Sequence, residues 1–457
     1  MNELKIKIDN FEERHIGNNQ TFTNVMLAAI GVSNLNDLIE NVVPQKIRLQ
    51  HELDLSESVS EQTILSDLKI IASKNKLFKN YIGQGYYGTF TPSVILRNVF
   101  ENPGWYTQYT PYQAEIAQGR LESLLNFQTM VVSLTGLPIA NASLLDEATA
   151  AAEAMTMIYH ASIENKNKIF FIDETIFPQT ISVLKTRANA LSIQLKIGDF
   201  KSIKLNENYV GAILQYPNKY GEINDFSTFI ETAKSLQIKT ILATDLLALT
   251  LLKSPGELGV DVAIGSTQRF GVPLGFGGPH AAFFATTDNF KRNIPGRIIG
   301  ISIDAQGNRA LRMALQTREQ HIKREKATSN ICTAQALLAN MAAMFAVYHG
   351  PEKIVAIANR IHLLTSFIFK QLTTLGYINL NNYFFDTISF QIPANISMED
   401  FKHVLESNQI NVHYFNEKAF SISIDETANF NDVTLLTNLL LSIIQKEINI
   451  KDIEIEP

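Results

Sequence analysis

One candidate acid stands out at the end of an apolar stretch. Asp245 closes the run KTILATD (239–245), whose apolar residues predict a buried strand. Ligands of open α/β sheets bind at the carboxyl ends of the strands, so this carboxylate is a candidate partner for a cofactor nitrogen or a cation. The alternative is a carboxylate that caps a helix or is hydrogen-bonded in the core, and the residue alone leaves both interpretations open.

A glycine-rich stretch follows soon after. Residues 265–280 read GSTQRFGVPLGFGGPH and hold five glycines in sixteen positions. Glycine permits positive φ and a close approach of the backbone, which suits a loop that binds phosphate. Neither GxGxxG nor GxxxxGK[ST] is present, and those are the spacings with an established mechanism. A phosphate cradle and a tight structural turn therefore remain as alternatives.

A third stretch, TREQHIKREKATSNICTAQ (317–335), mixes basic and acidic side chains. Its basic residues are Arg318, Lys323, Arg324 and Lys326. The spacing suits a solvated helix face with paired charges, or alternatively a surface that binds an anionic group. Cys332 lies at the start of an apolar run, where a helix N-terminus would lower a thiol pKa, whereas the alternative is a small buried residue of the core.

Metal chemistry and triad chemistry find no support in the sequence. The nine histidines are scattered without HExxH spacing, and the single cysteine cannot build a cysteine-based zinc site alone. No GxSxG elbow is present to place a Ser–His–Asp triad. We therefore predict no metal site.

Composition indicates the class of protein that must position these residues. The chain has 457 residues, 46% of them hydrophobic, and a formal net charge of −6. This composition supports a large core and argues against a protein that coats nucleic acid, which usually carries a basic face. No secretory h-region and no apolar run of membrane-spanning length occurs, so we expect a soluble, cytoplasmic protein without membrane contact.

The order of the predicted elements gives the fold class. Apolar runs alternate with amphipathic helices, which predicts an α/β domain with a mostly parallel sheet. The predicted strands are 168–172, 191–197, 209–216, 239–245, 261–266 and 280–285. We expect three parts: a helical arm over 1–80 with Ser60 as one helix cap, a large α/β domain over 81–350, and a small α+β domain over 351–457.

A glycine-rich and aromatic segment separates the arm from this alternation. Residues 81–112 contain six tyrosines, the only tryptophan and four glycines. Such a density of glycine and proline breaks regular structure. Because exposed aromatic rings lower solubility, we expect those of this segment to pack or to bind something.

Several long motifs together resemble one family. They are FEERHIG (11–17), YIGQGYYGT (81–89), the stretches 109–155 and 265–286, and PGRIIGISIDAQGNRALRMALQTREQHIKREKATSNICTAQ (295–335). The chain resembles the glycine decarboxylase P-protein of the glycine cleavage system, and specifically the N-terminal subunit of its split form. The resemblance implies a fold-type-I pyridoxal-phosphate transferase architecture, similar to aspartate aminotransferase, with a large α/β domain and a small C-terminal domain.

One departure from the family decides how the resemblance is interpreted. Long P-proteins have two homologous halves, and in the C-terminal half a His-Lys-Thr-Phe motif supplies the lysine that binds the cofactor. The frame FGVPLGFGGP (270–279) places that lysine at Gln268, whose amide nitrogen is not nucleophilic. The nearest lysines are Lys253 and Lys291, outside the turn. Acidic residues in LLDEAT (144–149) replace the usual phosphate-binding loop. Asp245 keeps the place of the family's pyridine-nitrogen acid and is expected to be vestigial.

The resemblance therefore implies a subunit that completes the site of a partner. The lysine-bearing subunit 2 would hold pyridoxal phosphate, decarboxylate glycine and pass the aminomethyl group to the lipoyl group of H-protein, in a heterotetramer. The active-site-completing residues expected here are Tyr106, Tyr109, Thr110, Tyr112, Gln113, Glu115 and Gln118. Contacts to the partner's phosphate or to the lipoyl protein are expected from Arg318, Arg324, Ser329 and Asn330.

Two other functions remain open alongside that one. The chain would be a scaffold that places no residue near the cofactor, or an autonomous pyridoxal-phosphate enzyme that uses another lysine. In isolation, an interface built for a different partner would allow the chain to form a homodimer.

Overall fold

The computed structural model describes residues 14–49, 51, 53–107, 112–162, 169–318, 320–327, 329–331 and 333–444. Its contacts divide the chain into two compact units, Met1–Phe78 and Lys79–Pro457. The predicted domain limits at 80 and 350 remain predictions, since the second unit contains both sheets described below.

The first unit contains three helices of two to three turns in its described part. They are α1 (Gln20–Ile30), α2 (Leu35–Val42) and α3 (Glu61–Ala72). The predicted cap at Ser60 is confirmed, because its side chain accepts a hydrogen bond from the backbone N–H of Thr63 at 3.2 Å. That bond satisfies one of the donors that every helix start leaves open.

A seven-stranded sheet forms the centre of the second unit. Its strands are β2 (Ile139–Ala140), β3 (Ile169–Asp173), β4 (Gln194–Gly198), β5 (Tyr209–Tyr216), β6 (Lys239–Thr244), β7 (Val262–Ser266) and β8 (Ala282–Thr286). They lie in the order β2-β8-β7-β6-β5-β3-β4. Strands β3 to β7 are parallel, and β8 and β2 extend the sheet antiparallel. The predicted mostly parallel α/β sheet is confirmed.

Helices cover both faces of this sheet. They are α4 (Gln118–Thr135), α5 (Glu147–Ala161), α6 (Pro178–Leu191) and α7 (Ser227–Ser235). Alternate residues of β3 serve the two faces: Phe170 and Ile172 belong to the core around α5, and Phe171 belongs to the other core. This is the two-residue period of a strand buried on both sides. The alanines of α5 let that helix lie close to the sheet and fix its N-terminus near the strand ends.

A second sheet of five strands uses the C-terminal part of the chain and one strand from far upstream. Its strands are β1 (Lys79–Tyr81), β11 (Ile378–Asn379), β12 (Thr387–Gln391), β13 (Ile410–Tyr414) and β14 (Ala419–Ser423). Their order is β1-β13-β14-β12-β11. Helices α9 (Met398–Ser407) and α10 (Phe430–Ile444) complete this part. Strand β1 pairs in parallel with β13, which sequence periodicity did not indicate.

A long helix and a two-stranded hairpin are further elements of the second unit. Helix α8 (Ala336–Thr374) is bent at Gly350, which has φ 67°, a conformation that glycine adopts without steric cost. The strands β9 (Ile299–Ile303) and β10 (Arg309–Met313) form an antiparallel hairpin that the sequence analysis did not predict. Within the described residues, no helix is both long and apolar enough to span a membrane.

Candidate functional site

A small cavity lies where the parallel strands end. Strands β5, β6 and β7 present Tyr216, Thr244 and Ser266 at their carboxyl ends, the edge where open α/β sheets bind ligands. The cavity measures about 30 Å³, and its lining includes Tyr87, Glu147, Gln215, Asp245, Gln268, Arg269 and Asp386. We call it the Asp245 pocket. A volume of this size holds about one or two water molecules.

The side chain of Arg269 lies in the wall of the pocket. Its guanidinium Nη1 is paired with the Asp245 carboxylate and lies 2.5 Å from Oδ2 of Asp386. Only 5% of the arginine side chain is exposed. Burial would lower the pKa of the guanidinium, but Asp245 and Asp386 raise it above its ordinary value. Arg269 is therefore a fixed cation between two carboxylates.

Aromatic rings enclose this cation. The guanidinium carbon of Arg269 lies 3.8 Å from the centre of the Tyr87 ring and 5.5 Å from that of Phe385. A guanidinium over an aromatic face is attracted by the electrons of the ring, most strongly when water is excluded. Tyr87 and Phe385 come from opposite ends of the sequence, so the second unit is tied together at this point.

Gln268, at the position of the family's lysine, is a structural residue here. Its amide accepts a hydrogen bond from Tyr87 N at 3.1 Å and donates to Tyr87 O and to Val272 O, both at 2.8 Å. The residue is 1% exposed. An amide can donate and accept at once, whereas a lysine ammonium only donates. The side chain therefore anchors the loop around Tyr87 to the glycine-rich turn.

Close backbone packing completes the wall of the pocket. Gly221 has φ +81°, and a Cβ at this position would lie 2.1 Å from the carbonyl oxygen of Thr387. Only glycine permits this approach of the loop after β5 to strand β12. The pocket is therefore formed jointly by the two sheets of the second unit.

The start of α5 is acidic and half enclosed. Asp146 caps the helix by accepting from Thr149 N at 2.7 Å. Burial raises the pKa of the Glu147 carboxyl to about 8, and Asp245 and Asp146 add to that rise while a hydrogen bond from Gln215 opposes it. Glu147 is therefore largely protonated at neutral pH. Its Oε1 is buried without a hydrogen-bond partner among the described residues.

The described ones among the predicted active-site-completing residues do not line this pocket, and their role remains a prediction. Tyr109 and Thr110 fall outside the described residues. Tyr106 ends a short helix, Pro103–Tyr106, and is 51% exposed. The hydroxyl of Tyr112, a buried residue, accepts from Ala334 N at 3.0 Å.

The rest of this segment is exposed. Gln113 and Glu115 are exposed, whereas the Gln118 amide binds both backbone groups of Leu311 at 2.9 Å. The structure thus joins Gln118 to hairpin β9–β10 and Tyr112 to the stretch around Ala334.

The predicted anion-binding stretch is placed only in part. Arg318 ends a 3₁₀ turn, Gln316–Arg318, and its side chain falls outside the described residues. Arg324 is exposed with φ 54°. Ser329 accepts from Ile331 N at 3.1 Å, and Asn330 is exposed. Cys332 also falls outside the described residues. The contacts of these residues with an anion remain predictions.

Among the residues that line the pocket, Tyr87, Gln215, Arg269 and Asp386 were not singled out from sequence. Arg269 directly follows Gln268 in GSTQRFG, a stretch for which the sequence predicts either a phosphate cradle or a tight structural turn. Asp386 precedes an apolar strand in YFFDTISF, a position where an ionised side chain needs a partner because burial is costly. These two charges were the available signal, although nothing in the sequence shows that they meet across 117 positions.

Comparison with known proteins gives the family context. The sequence model of the family described as glycine cleavage system P-protein matches residues 13–440. A glycine dehydrogenase (decarboxylating) from Nostoc sp. is 54% identical over 433 residues, which are 95% of this chain and 44% of that protein. The protein of the same name from Flavobacterium johnsoniae is 50% identical over 446 residues, which are 97% and 47%. The chain thus spans about half the length of the curated relatives it matches.

Solved structures agree on the fold. A crystal structure of glycine decarboxylase (P-protein) of the glycine cleavage system, in inhibitor-bound form, superposes with a TM-score of 0.84 at 29% identity and covers 93% of this chain and 99% of that one. An aspartate aminotransferase from Thermus thermophilus superposes with a TM-score of 0.57 at 12% identity, over 81% of this chain and all of that one. The fold-type-I architecture predicted from sequence is confirmed.

The side chains of the Asp245 pocket do not fit the cofactor that this fold commonly holds. No lysine lines the described pocket, and Gln268 has no amine to form an imine. The carboxylate of Asp245 is already paired with the guanidinium of Arg269. The remaining cavity of about 30 Å³ is too small for pyridoxal phosphate. Of the alternative lysines, Lys253 lines a different cavity and Lys291 is an exposed residue beside Asp288.

Proposed function

The chain belongs to the glycine cleavage system P-protein family, and on that basis we propose that it is the half of glycine decarboxylase that does not carry the cofactor lysine. In this proposal a lysine-bearing partner holds pyridoxal phosphate covalently, and this chain completes the partner's active site. The assembly decarboxylates glycine and transfers the aminomethyl group to the lipoyl group of H-protein. We propose an assembly of two copies of each chain.

Gln268 is the observation that carries this proposal. A protein of this family that acted alone would need an amine beside the carboxyl ends of the strands, and here a buried amide is held by three hydrogen bonds. The bonds use both the donor and the acceptor of the amide. The covalent chemistry of the family is therefore assigned to another chain.

The extent of the similarity supports a partner. The chain covers 44% of the Nostoc protein and 47% of the Flavobacterium protein, so about half of each relative lies outside the match. The solved P-protein chain is covered over 99% of its length, which is in keeping with a polypeptide of about this span as a building block.

Exposed apolar side chains supply a surface for that partner. Five of them in the second unit are Phe90, Tyr106, Ile116, Phe276 and Tyr348, with exposures between 51% and 110%. Large exposed apolar groups rimmed by polar ones are typical of protein interfaces. Thr91, next to Phe90, donates to Gly271 O at 2.7 Å, which places this ring beside the glycine-rich turn. We propose that the lysine-bearing half, rather than solvent, covers these residues.

Two segments are proposed to reach the partner's site. The segment 106–118 carries tyrosine and glutamine side chains that are suited to orient a small zwitterion and exclude water. The stretch with Arg324, Ser329 and Asn330 offers donors for a phosphate or for the lipoyl protein. The hydrogen bond from Ala334 N to Tyr112 joins the two segments at 3.0 Å, so they would approach the partner as one surface.

Reconstitution tests the proposal. This chain, the lysine-bearing half, and their mixture are each incubated with pyridoxal phosphate and lipoylated H-protein. The readout is glycine-dependent exchange of labelled bicarbonate. We expect activity in the mixture alone. Activity of this chain by itself would overturn the assignment based on Gln268, and full activity of the lysine-bearing half by itself would show that this chain is not needed.

A variant within the mixture separates a completing subunit from a scaffold. Tyr106→Phe removes one exposed hydroxyl and leaves the ring. If this hydroxyl orients the substrate, turnover falls about 10-fold or more while size-exclusion chromatography shows unchanged assembly. A scaffold that places no group at the partner's site predicts unchanged turnover. Tyr112→Phe is less suitable, because the hydroxyl of Tyr112 also accepts from Ala334 N within this chain.

A further inference from the structure

We infer that Arg269 is a built-in substitute for the cationic ring of the cofactor, and that it closes the Asp245 pocket and ties the two sheets together. The inference concerns this chain alone and goes beyond its proposed place in an assembly. It accounts for the presence of an aspartate at the pyridine-nitrogen position although the lysine is absent.

The first argument is charge. An aspartate at this position stabilises a protonated pyridine nitrogen in fold-type-I enzymes, as the family resemblance implies. A partly buried carboxylate loses hydration and is stabilised by a nearby cation, so an empty pocket would leave Asp245, whose side chain is 16% exposed, without one. The guanidinium of Arg269 is paired with this carboxylate, and it is a permanently charged group of planar shape. One planar cation has thus replaced another.

The second argument is the environment of the planar group. The Tyr87 ring lies against the guanidinium with the ring centre 3.8 Å from its central carbon, as an aromatic ring would stack on a planar cofactor. Gln268 holds the backbone of Tyr87 through two hydrogen bonds. The adjacent pair Gln268–Arg269 therefore performs two tasks: the amide fixes the covering loop, and the guanidinium fills the space beneath it.

The third argument is the second carboxylate. Asp386 is 4% exposed and lies directly before β12 of the small sheet, whereas Asp245 follows β6 of the large sheet. Arg269 binds both. Arg269 therefore joins the small sheet to the large one without a ligand.

Chemical rescue tests the inference. The full chain with Arg269→Ala should unfold about 5–10 °C below wild type, because one partner of a buried charge network is removed. Methylguanidinium at about 10 mM should raise that temperature by several degrees in this variant, by filling the vacated position. Tetramethylammonium at the same concentration controls for ionic strength. Arg309→Ala, which removes an exposed arginine, should show no such response.

The carboxylate must be required for rescue. Adding Asp245→Asn to Arg269→Ala should abolish the response to methylguanidinium. If rescue persists in this double variant, or if Arg269→Ala shows no rescue, the inference is overturned. If Arg269→Ala does not fold, refolding is compared with and without methylguanidinium by circular dichroism. Folded protein only in its presence supports the inference, and failure in both overturns it.

The closed state of the wild-type pocket has its own test. Pyridoxine 5′-phosphate lacks the aldehyde and so cannot react with surface lysines. Isothermal titration should detect no binding to the wild-type chain. Binding that disappears in Asp245→Asn would show an open pocket and contradict the inference, while leaving the reconstitution experiment above to decide the proposed function separately.

Discussion

The Asp245 pocket and the segment 106–118 differ in how their polar groups are satisfied. In the pocket, Gln268 makes three hydrogen bonds within the chain and Arg269 binds two carboxylates. In the segment, Tyr106 is half exposed, and Gln113 and Glu115 are exposed. These three side chains are open to solvent, whereas Tyr112 and Gln118 of the same segment are bonded to Ala334 and Leu311.

We expect the largest effect on stability from replacing Gln268 with lysine. We expect Gln268→Lys to lower the free energy of unfolding by about 3 kcal/mol or more, since it removes the acceptor for Tyr87 N and places a second cation beside Arg269. Denaturant unfolding measures the loss. We expect no absorbance band in the 400 nm region with pyridoxal phosphate. Such a band, trapped by borohydride at position 268, would show that the pocket still accepts the cofactor.

Glu147, at the acidic start of α5, makes the stability of the folded chain depend on pH. The pKa of Glu147 is raised from 4.5 to about 8 in the folded chain. Between these values the unfolded chain loses the proton first, so rising pH favours unfolding, and the contribution of Glu147 to stability is lost by about pH 8. Relative to wild type, Glu147→Gln should therefore gain stability between pH 5 and pH 8, by about 3 kcal/mol.

Thermal unfolding at pH 5, 6.5 and 8 measures this difference. The matched control is Glu257→Gln, at the exposed capping box of a short helix, where hydrogen bonds from Ser254 lower the pKa of the carboxyl. Glu257 titrates below this range, so its variant should show no change of effect between pH 5 and pH 8. A flat profile for Glu147→Gln would contradict the raised pKa.

Two glutamines bind the backbone of hairpin β9–β10, one in a buried position and one in a partly exposed position. Gln128 bonds both backbone groups of Ile299 at 2.7 and 3.0 Å in a buried setting, and Gln118 does the same for Leu311 at a partly exposed one. Gln128→Ala should cost about 2 kcal/mol of unfolding free energy, and Gln118→Ala about 1, because water reaches the second pair. If urea unfolding shows equal losses of unfolding free energy for the two variants, burial does not determine the strength of these hydrogen bonds.

The smallest effect on stability is expected at Tyr106. Tyr106→Phe should change the free energy of unfolding by less than about 0.5 kcal/mol, as exposed substitutions usually do. Denaturant unfolding of the chain alone measures it, beside the turnover of the mixture. A large loss of stability would place Tyr106 in the core, together with the pocket residues, and remove it from the proposed partner surface.

Local sequence patterns predicted most of the large sheet. The run YVGAILQY was predicted as a strand over 209–216, and β5 has those limits. Strands β3, β6 and β7 begin or end within one or two residues of their predicted limits. This accuracy has a simple cause, because a buried strand needs a short apolar run and turn residues at its ends.

Strand β1 and hairpin β9–β10 are absent from the strands predicted from sequence. Strand β1 is only three residues long and pairs with β13, more than 300 positions away. The hairpin has two exposed isoleucines, Ile301 and Ile303, on a strand whose neighbour carries arginines. Strand β1 is too short to show an alternation. Strand β9 does alternate, with isoleucines at 299, 301 and 303, a strand signal that the prediction did not use.

The sequence by itself determined that Gln268 cannot form an imine, because the chemistry of an amide is the same in any fold. It also determined the mostly parallel sheet and the position of Asp245 at a strand end. Only the tertiary structure decided what Asp245 binds: Arg269 lies 24 positions away along the chain and Asp386 lies 117 positions beyond that arginine. Pairing over such separations depends on where the folded backbone places each charge, and no local pattern encodes it.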